Sequence, residues 1–169
     1  IPSAKLVAAG DVNGDGKADA FVLNADGTNL RVYLSGGRAG SQALPGLTLY
    51  SPVSTFAIGD INVDGKLDIV TVTSTSINCY LGDGSGKFTS SGAALSDATR
   101  IGAIDSLQGN MAVVDVNGDS KPDLVFGTRA GELAYATGRG DGTFSNTTTL
   151  WRNASGLPIL QLQLADVNA

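Results

Sequence analysis

Short apolar runs separated by turns rich in glycine, aspartate and asparagine recur along the whole chain. The runs are rich in β-branched and aromatic residues and end in polar or glycine-containing turns, which is typical of β-strands. Neither heptads nor amphipathic helical stretches stand out, so the pattern predicts an all-β chain. The predicted strands are 5–9, 18–23, 30–34, 47–50, 55–59, 67–73, 77–81, 87–90, 111–114, 123–127, 132–137, 143–151 and 159–165.

The turn after the first strand of each group carries the same sequence pattern. Copies start at Asp11, Asp60, Asp115 and Asp166, which are separated by 49, 55 and 51 residues. A period near 50 is the size of one four-stranded antiparallel propeller blade. We therefore predict a single propeller segment over 1–169, with blades at 1–54, 55–110 and 111–158. Residues 159–169 are expected to form the first strand and the start of the next loop.

The first loop shows the chemistry of the pattern. Asp11, Asn13 and Asp15 occupy alternate positions, Gly16 permits a tight turn and Asp19 closes the set. Calcium takes six to eight oxygen ligands in a tolerant geometry, and a backbone carbonyl at the seventh position is an ordinary ligand. The calcium ligands predicted for the three complete loops are Asp11, Asn13, Asp15, Lys17, Asp19, Asp60, Asn62, Asp64, Lys66, Asp68, Asp115, Asn117, Asp119, Lys121 and Asp123, where each lysine contributes its carbonyl oxygen.

Two loops depart from the first at turn positions. The second has Val63 in place of Gly14, which removes no ligand, so we expect it to bind. The third has Ser120 where the turn requires glycine. We therefore expect Ser120 to adopt a positive φ, and the third loop to be the weakest site.

An EF-hand loop begins with a similar pattern but requires an acidic ligand at the twelfth position. That position holds Val22, Thr71 or Phe126, and a strand-like run follows each loop. A single copy could also be an ordinary solvated turn. Unrelated turns would have no reason to repeat the ninth aspartate, so three copies favour strand–loop–strand calcium sites.

Composition excludes several classes of function. The net charge is −5, and the three complete loops hold nine of the 16 acidic residues, with no basic stripe for nucleic acid. No run approaches the roughly 18 apolar residues of a membrane span, so we expect no membrane insertion. Because the chain has no histidine, it lacks a Ser-His or Cys-His pair, and we expect no enzyme activity. The single cysteine, Cys79, lies in an apolar run and reads as a small buried hydrophobe.

A second motif recurs before the predicted fourth strands. Gly-x-Gly-x-Gly-x-Phe occurs at 82–88 and at 138–144. Together with Gly-Asp-Val-Asn-Gly-Asp-Gly-Lys-Ala-Asp at 10–19, it resembles the FG-GAP or VCBS repeats that form the blades of integrin-α-type β-propellers. The resemblance implies calcium in the loops between first and second strands. The same motif accounts for both glycine positions around Arg139-Gly140-Asp141, so we interpret this adhesion tripeptide as part of the repeat.

The resemblance implies propellers that typically close with seven blades, so three blades and one strand are incomplete as a closed propeller. Either the chain is a segment of a longer propeller, or copies self-associate. We expect a secreted or cell-surface binding or adhesion module with structural calcium, because weak loops suit millimolar extracellular calcium. Its partner would be a protein or glycan, bound on the face formed by turns 24–29, 73–76 and 128–131 and by the linkers after residues 50, 90 and 151. A lectin, or an accessory non-catalytic region of a secreted carbohydrate-active or other hydrolytic enzyme, remains an alternative.

Overall fold

The computed structural model of the chain describes residues 4–36, 42–49, 51–95, 111–128, 130–155, 157, 159 and 162. Within these residues all regular elements are β-strands, which confirms the predicted all-β fold class. This part of the chain contains no helix long and apolar enough to cross a membrane.

The strands form three separate antiparallel sheets, each a meander in which consecutive strands pair. The first sheet contains β1 (Ala4–Gly10), β2 (Asp19–Asn24), β3 (Asn29–Leu34), β4 (Gln42–Ala43) and β5 (Leu47–Thr48). The second contains β6 (Thr55–Gly59), β7 (Asp68–Val72), β8 (Ile77–Gly82) and β9 (Phe88–Leu95). The third contains β10 (Met111–Val114), β11 (Asp123–Gly127), β12 (Glu132–Gly138) and β13 (Phe144–Arg152). They are propeller blades, and the described blades do not close into a ring.

The outer strand of the first sheet differs from the prediction. We predicted one strand at 47–50, whereas β4 and β5 are two short strands that both pair with β3, and residue 50 lies outside the described part. Pro45 has no N–H to donate to a ladder, which interrupts the strand. At the same break, the amide of Asn29 lies 2.7 Å from where a Cβ of Gly46 would stand.

The outer strand of the second sheet is longer than predicted. β9 continues past residue 90 to Leu95, with register shifts between Ile77/Asn78 and Cys79/Tyr80 on its partner β8. The predicted strand ends before Gly92. In the structure Gly92 has a φ of 96° and permits an irregularity within β9. Of the polar linker expected from the end of that predicted strand to about residue 110, residues 91–95 belong to β9 and 96–110 lie outside the described residues, as does most of the predicted strand 159–165.

Two hydrophobic clusters join the three sheets face to face. Phe21 and Leu23 of the first sheet pack with Phe56 and Ile69 of the second in one cluster. The Phe21 ring meets Phe88 of the second sheet edge-on, with centroids 6.2 Å apart. Burying a side chain of this size contributes about 1.5–3 kcal/mol. The second cluster joins the second and third sheets through Val70, Val72, Ile77, Leu124 and Phe126.

The inner strands of neighbouring sheets approach closely where glycines end them. A Cβ at Gly10 would stand 2.7 Å from Leu67 of the second sheet, and a Cβ at Gly59 would stand 2.6 Å from Val113 of the third. A Cβ at Gly59 would meet the branched side chain of Val113, and one at Gly10 would displace the side-chain ends of Leu67 and Ile58, so both glycines let the inner strands approach.

Cys79 lies in the cluster between the second and third sheets and is fully buried. Burial raises the pKa of its thiol to about 12, and the nearby carboxylates of Asp68 and Asp141 act in the same direction. The thiol is therefore protonated at neutral pH. Its predicted role as a small buried hydrophobe is confirmed.

The fourth and sixth positions of all three loops are left-handed. Ser120, at the sixth position, has a φ of 66°, which confirms the positive φ predicted there. Val63, at the fourth position, has a φ of 61°, which the sequence analysis did not predict. A β-branched residue is strained in this conformation. The equivalent glycines are Gly14, Gly16, Gly65 and Gly118, with φ of 73°, 79°, 80° and 79°.

Replacing Val63 with glycine should therefore stabilise the protein. The left-handed conformation costs a residue with a Cβ about 1–2 kcal/mol, and glycine loses about 0.5–1 kcal/mol more backbone entropy on folding. Because Val63 is 55% exposed, little burial is lost. We expect Val63→Gly to raise the free energy of unfolding by about 0.5–1 kcal/mol in urea denaturation.

Val116→Gly provides the control, since Val116 is also an exposed loop valine but is not among the positive-φ residues. It should lower the free energy of unfolding by about 0.5–1 kcal/mol. Equal effects of the two changes would show that strain at Val63 is negligible.

Candidate metal-binding loops

The candidate sites are the three loops between the first and second strands of each sheet. In the first sheet this loop joins Gly10 at the end of β1 to Asp19 at the start of β2. Those two residues pair directly in the ladder, which brings the two ends of the loop together. The same pairing of Gly59 with Asp68 and of Val114 with Asp123 closes the other two.

The first aspartate of each loop holds the turn from inside. Asp11 accepts the backbone N–H of Gly16 at 2.7 Å through Oδ2, while its Oδ1 accepts N–H groups of Gly14 and Asp15. Asp60 holds the N–H of Gly65 at 2.8 Å, and Asp115 holds that of Ser120 at 2.8 Å. One carboxylate at the first position thus orders the left-handed turn in every copy.

The side-chain oxygens at the third and fifth positions also accept backbone N–H groups, each from the residue two positions further along the loop. Asn13 Oδ1 accepts the N–H of Asp15 at 3.2 Å, and Asp15 Oδ1 accepts the N–H of Lys17 at 2.9 Å. The second and third loops contain the same bonds at 2.8–3.2 Å. The loop is therefore shaped by the same oxygens that the sequence analysis predicts as ligands.

The first-position carboxylate of Asp11 is ionised at neutral pH. The N–H of Gly16, together with those of Gly14 and Asp15, lowers the pKa of Asp11 below its usual value, although slight desolvation opposes this. Cations also lie beside the fifth-position carboxylates. Lys66 Nζ is 3.3 Å from Asp64 Oδ2, and Lys17 Nζ is 3.7 Å from Asp15 Oδ2. Ion pairs between such exposed side chains add little stability, because water screens them.

The ninth-position aspartates occupy a different environment. Asp19, Asp68 and Asp123 are at most 1% exposed, and both oxygens of each accept backbone N–H groups. In the second sheet, Asp68 Oδ2 accepts the N–H of Ile61 at 2.9 Å, and Oδ1 accepts that of Gly82 at 2.8 Å. Burial raises the pKa of Asp68, although these N–H groups oppose the shift.

Each ninth aspartate therefore connects its loop to the end of the third strand. Asp19 bridges Val12 and Ser35, and Asp123 bridges Val116 and Gly138, at 2.8–3.1 Å. The loop pattern predicts these aspartates only as ligands. Its spacing does not reveal this second role, because the second N–H comes from Ser35, Gly82 or Gly138 at the end of another strand.

The donor set of each loop fits a hard divalent cation. It consists of carboxylate and amide oxygens, and the hydrogen bonds leave part of their lone pairs free. Among the described residues, no three acidic side chains lie close enough together to hold a metal ion. Each loop carboxylate instead accepts backbone N–H groups. The ligand assignments therefore stay predictions for all three loops.

The Gly-x-Gly-x-Gly-x-Phe turns lie beside these loops. A Cβ at Gly82 or Gly138 would overlap the carbonyl oxygen of Leu67 or Pro122 in the same blade. A Cβ at Gly86 would instead overlap Leu44 of the preceding blade. Each such turn therefore packs against its own loop and against the blade before it.

The tripeptide Arg139-Gly140-Asp141 lies in the third-sheet turn. Gly140 has a φ of 73°, and Asp141 Oδ1 accepts the N–H of Thr143 at 2.9 Å. In the second sheet the equivalent Gly84 has a φ of 78°, and the backbone bond from Asp83 N–H to Lys87 O corresponds to that from Arg139 N–H to Thr143 O, both at 3.1 Å. The repeat thus accounts for the conformation of this turn.

The turns between the second and third strands, where a partner was predicted, make hydrogen bonds within themselves and to the neighbouring linkers. Gly27 O accepts the N–H of Val53 at 2.9 Å, and Gly131 O accepts that of Asn153 at 2.7 Å, so both linkers run beside a turn. In the middle sheet, Thr73 Oγ1 contacts Ser76 Oγ at 3.0 Å. This surface is polar and ordered by its own hydrogen bonds.

A cavity of about 220 Å³ opens where the outer strand of the first sheet is split. It is lined mainly by apolar residues, with Lys87 and Ser85 as its polar side chains. Pockets for small ligands usually enclose about 300–1,000 Å³. The cavity is thus a minor candidate beside the loops.

A family model described as an FG-GAP-like repeat matches the chain three times in succession, at residues 11–71, 60–126 and 115–169. Each match begins at the first aspartate of a loop. A comparison with curated proteins finds no match.

Solved structures share the fold. A lectin of Agrocybe aegerita, described in terms of specific recognition of non-reducing terminal N-acetylglucosamine, superimposes with a TM-score of 0.65 at 18% identity over 94% of this chain. The Tc holotoxin pore of Photorhabdus luminescens superimposes with a TM-score of 0.59 at 20% identity over 96% of this chain. The chain spans 42% of the lectin chain and 8% of the toxin chain.

Substitutions of the buried and the exposed loop aspartates should differ in their effect on the free energy of unfolding in metal-free buffer. Asp68→Asn leaves one oxygen for N–H donors on both sides and turns an NH₂ group toward one of them. We expect it to lower the free energy of unfolding by about 2–3 kcal/mol, because a buried donor loses its partner. Asp64→Asn, the exposed control, should change it by less than about 0.5 kcal/mol. Similar losses in chemical denaturation would contradict the distinction.

Proposed function

The chain belongs to the FG-GAP-like repeat family, and on this basis we propose that it is a calcium-binding β-propeller segment of an extracellular binding or adhesion module. Calcium has a structural role in this proposal. It would be held by the oxygens of the first, third, fifth and ninth loop positions together with the seventh carbonyl. Weak loops of this kind are saturated only at the calcium concentrations found outside cells.

The observation that carries the proposal is the recurrence of one hydrogen-bonded loop in all three blades. In each, a first-position carboxylate holds the sixth N–H at 2.7–2.8 Å, although the turn residues differ. A simple turn would not require three further oxygens at fixed spacing. The same oxygens recur in all three loops, although the loops differ at Val63 and Ser120. This recurrence supports a ligand common to all three.

Electrostatics gives the cation its structural effect. Each loop carries two exposed aspartates and one buried one, and their repulsion is offset in part by a single lysine ammonium group where an ion pair forms. A cation that binds only the folded loop adds stability as RT ln(1 + [Ca²⁺]/Kd), which is about 2.7 kcal/mol at one hundred times Kd. Calcium would thus order the acidic edge of each blade.

The partner would bind on the opposite face. The turns between second and third strands, at 24–29, 73–76 and 128–131, lie at the other end of each blade from the loops. Their polar side chains, such as Thr28, Ser74 and Thr75, suit a protein or glycan partner. The ordered hydrogen bonds of this face support a preformed surface.

Calcium titration tests the metal role. By isothermal titration calorimetry we expect three calcium ions per chain, with the second and third loops weaker than the first because of the strain at Val63 and Ser120, and chelation should lower Tm. Asp15→Ala should remove one site, because a ligand oxygen and a charge are lost from the first loop.

Asp83→Ala is the matched control, since Asp83 is an exposed turn aspartate that holds the N–H of Ser85 outside the loops. Its calcium stoichiometry should stay at the wild-type value. No heat of calcium binding, together with an unchanged Tm in chelator, would contradict the proposal.

A lectin is the second candidate, and the similarity of the fold to the Agrocybe aegerita lectin favours it. A glycan array checks this candidate. If the chain is a lectin, binding should be restricted to a defined terminal sugar and competed by that free sugar. A blank array alongside retained calcium binding would remove the lectin candidate and leave a protein partner, or an accessory region of a secreted enzyme.

A further inference from the structure

Two of the three loops contain an asparagine that is followed directly by glycine. These pairs are Asn13-Gly14 in the first loop and Asn117-Gly118 in the third, and no other asparagine in the sequence precedes a glycine. In such a pair the backbone nitrogen of the glycine can attack the side-chain amide carbon of the asparagine, because glycine has no Cβ to obstruct the approach. Each pair is therefore a place where the loop can change its own covalent structure.

The loop holds the attacking nitrogen against a carboxylate. Asp11 Oδ1 accepts the N–H of Gly14 at 2.8 Å, and Asp115 Oδ1 accepts that of Gly118 at 2.7 Å. Distances of about 2.6–3.2 Å are those at which a side chain can take a proton as a general base. A proton acceptor thus lies on the N–H that must lose its proton in the attack.

The amide that would be attacked is held at its oxygen. Asn13 Oδ1 accepts the N–H of Asp15 at 3.2 Å, and Asn117 Oδ1 accepts that of Asp119 at 2.8 Å. A backbone N–H aimed at this oxygen stabilises the negative charge that develops there during the attack. In the third loop the amide NH₂ of Asn117 also donates to Asp123 Oδ1 at 3.4 Å. Nucleophile and electrophile are thus neighbours in one hydrogen-bonded turn.

The two glycines lie open to water. Both are exposed, and a Cβ built on Gly14 or Gly118 would meet no described heavy atom within 4 Å beyond its chain neighbours. Water is the only other reactant that the change requires. It can therefore reach both pairs in the folded chain.

The second loop differs at the attacking residue. Asn62 is followed by Val63, which has a φ of 61° like the equivalent glycines but carries a β-branched side chain beside its nitrogen. Asn62 Oδ1 accepts the N–H of Asp64 at 3.2 Å, as in the other loops. Because the asparagine is held in the same way, the valine is the difference that bears on the attack.

We propose that Asn13 and Asn117 are sites of spontaneous deamidation in the folded chain, and that Val63 protects Asn62 from the same reaction. The backbone nitrogen forms a bond to Cγ, the bond between Cγ and the amide nitrogen breaks, and the NH₂ group leaves as ammonia with the proton of the backbone nitrogen. Water then opens the resulting succinimide ring. Cleavage of the ring at Cγ gives aspartate, and cleavage at the main-chain carbonyl gives isoaspartate.

Either product changes the loop. The neutral amide at the third position becomes a carboxylate, which adds a negative charge beside the aspartates at the first and fifth positions. Isoaspartate also directs the main chain through the side chain, which lengthens the loop by one carbon atom. The first and third loops would therefore lose their hydrogen-bonded order with time, whereas the second would keep it. The strained valine thus gives the second loop chemical durability.

Peptide mass spectrometry of the intact 169-residue chain tests the proposal. The folded chain is incubated with a chelator, so that the result does not depend on the calcium role, at a mildly alkaline pH that converts Asn13 and Asn117 in a urea-denatured sample. We expect both to become aspartate and isoaspartate in the folded chain. Asn62 should react at least roughly tenfold more slowly, which corresponds to about 1.4 kcal/mol in the barrier. Persistence of Asn13 and Asn117 in the folded chain would overturn the proposal.

Val63→Gly isolates the contribution of the valine. This variant should stay folded, because the change relieves the left-handed strain, and the deamidation rate of Asn62 should rise to that of Asn13. Val116→Gly is the matched control, since Val116 precedes its asparagine instead of following it, and it should leave the rates at all three sites unchanged. An Asn62 that stays intact in Val63→Gly, or that reacts as fast as Asn13 in the wild type, would rule out protection by Val63.

Discussion

A buried carboxylate at the ninth position of each loop is the interaction on which each blade depends. An ionised group without solvent is costly unless hydrogen bonds compensate it, and here both oxygens of Asp68 accept backbone N–H groups. One of these groups belongs to the loop and the other to the residue that ends the third strand. The carboxylate therefore fixes the loop relative to three strands. The exposed oxygens of the same loop are positioned as a result.

The contacts between blades depend on the absence of side chains as much as on their presence. Gly10 and Gly59 let inner strands of neighbouring sheets approach, and Gly86 lets a turn lie against Leu44 of the preceding blade. Large apolar residues such as Phe21 then fill the space between the sheet faces. Because each blade contacts mainly its neighbours, the architecture is quasi-one-dimensional, as in other repeat proteins.

The repeat period and the recurring loop were sufficient to predict the all-β blades, because both depend on local sequence. The positive φ at Ser120 could be predicted because two copies have glycine at that position. The positive φ of Val63 was not predicted, because the loop pattern is defined by its oxygen donors and the change from glycine to valine removes none of them. Valine differs from glycine in its backbone freedom. The hydrogen bonds of Asp19 involve Ser35, 16 residues away, and spacing alone does not reveal an N–H that arrives from another strand. The split outer strand was missed because Pro45 and Gly46 read as an ordinary turn.

The complete burial of β7 has a consequence for the dynamics of the chain. All five residues from Asp68 to Val72 are buried, as are all five residues of β11 in the third sheet, whereas buried and half-buried residues alternate along β2 in the first sheet. Local opening requires exposure of buried apolar surface, so its free energy differs between parts of a structure. Among the described strands, the backbone amides of β7 and β11 are therefore expected to exchange most slowly with solvent. The first sheet is expected to open more readily than the other two.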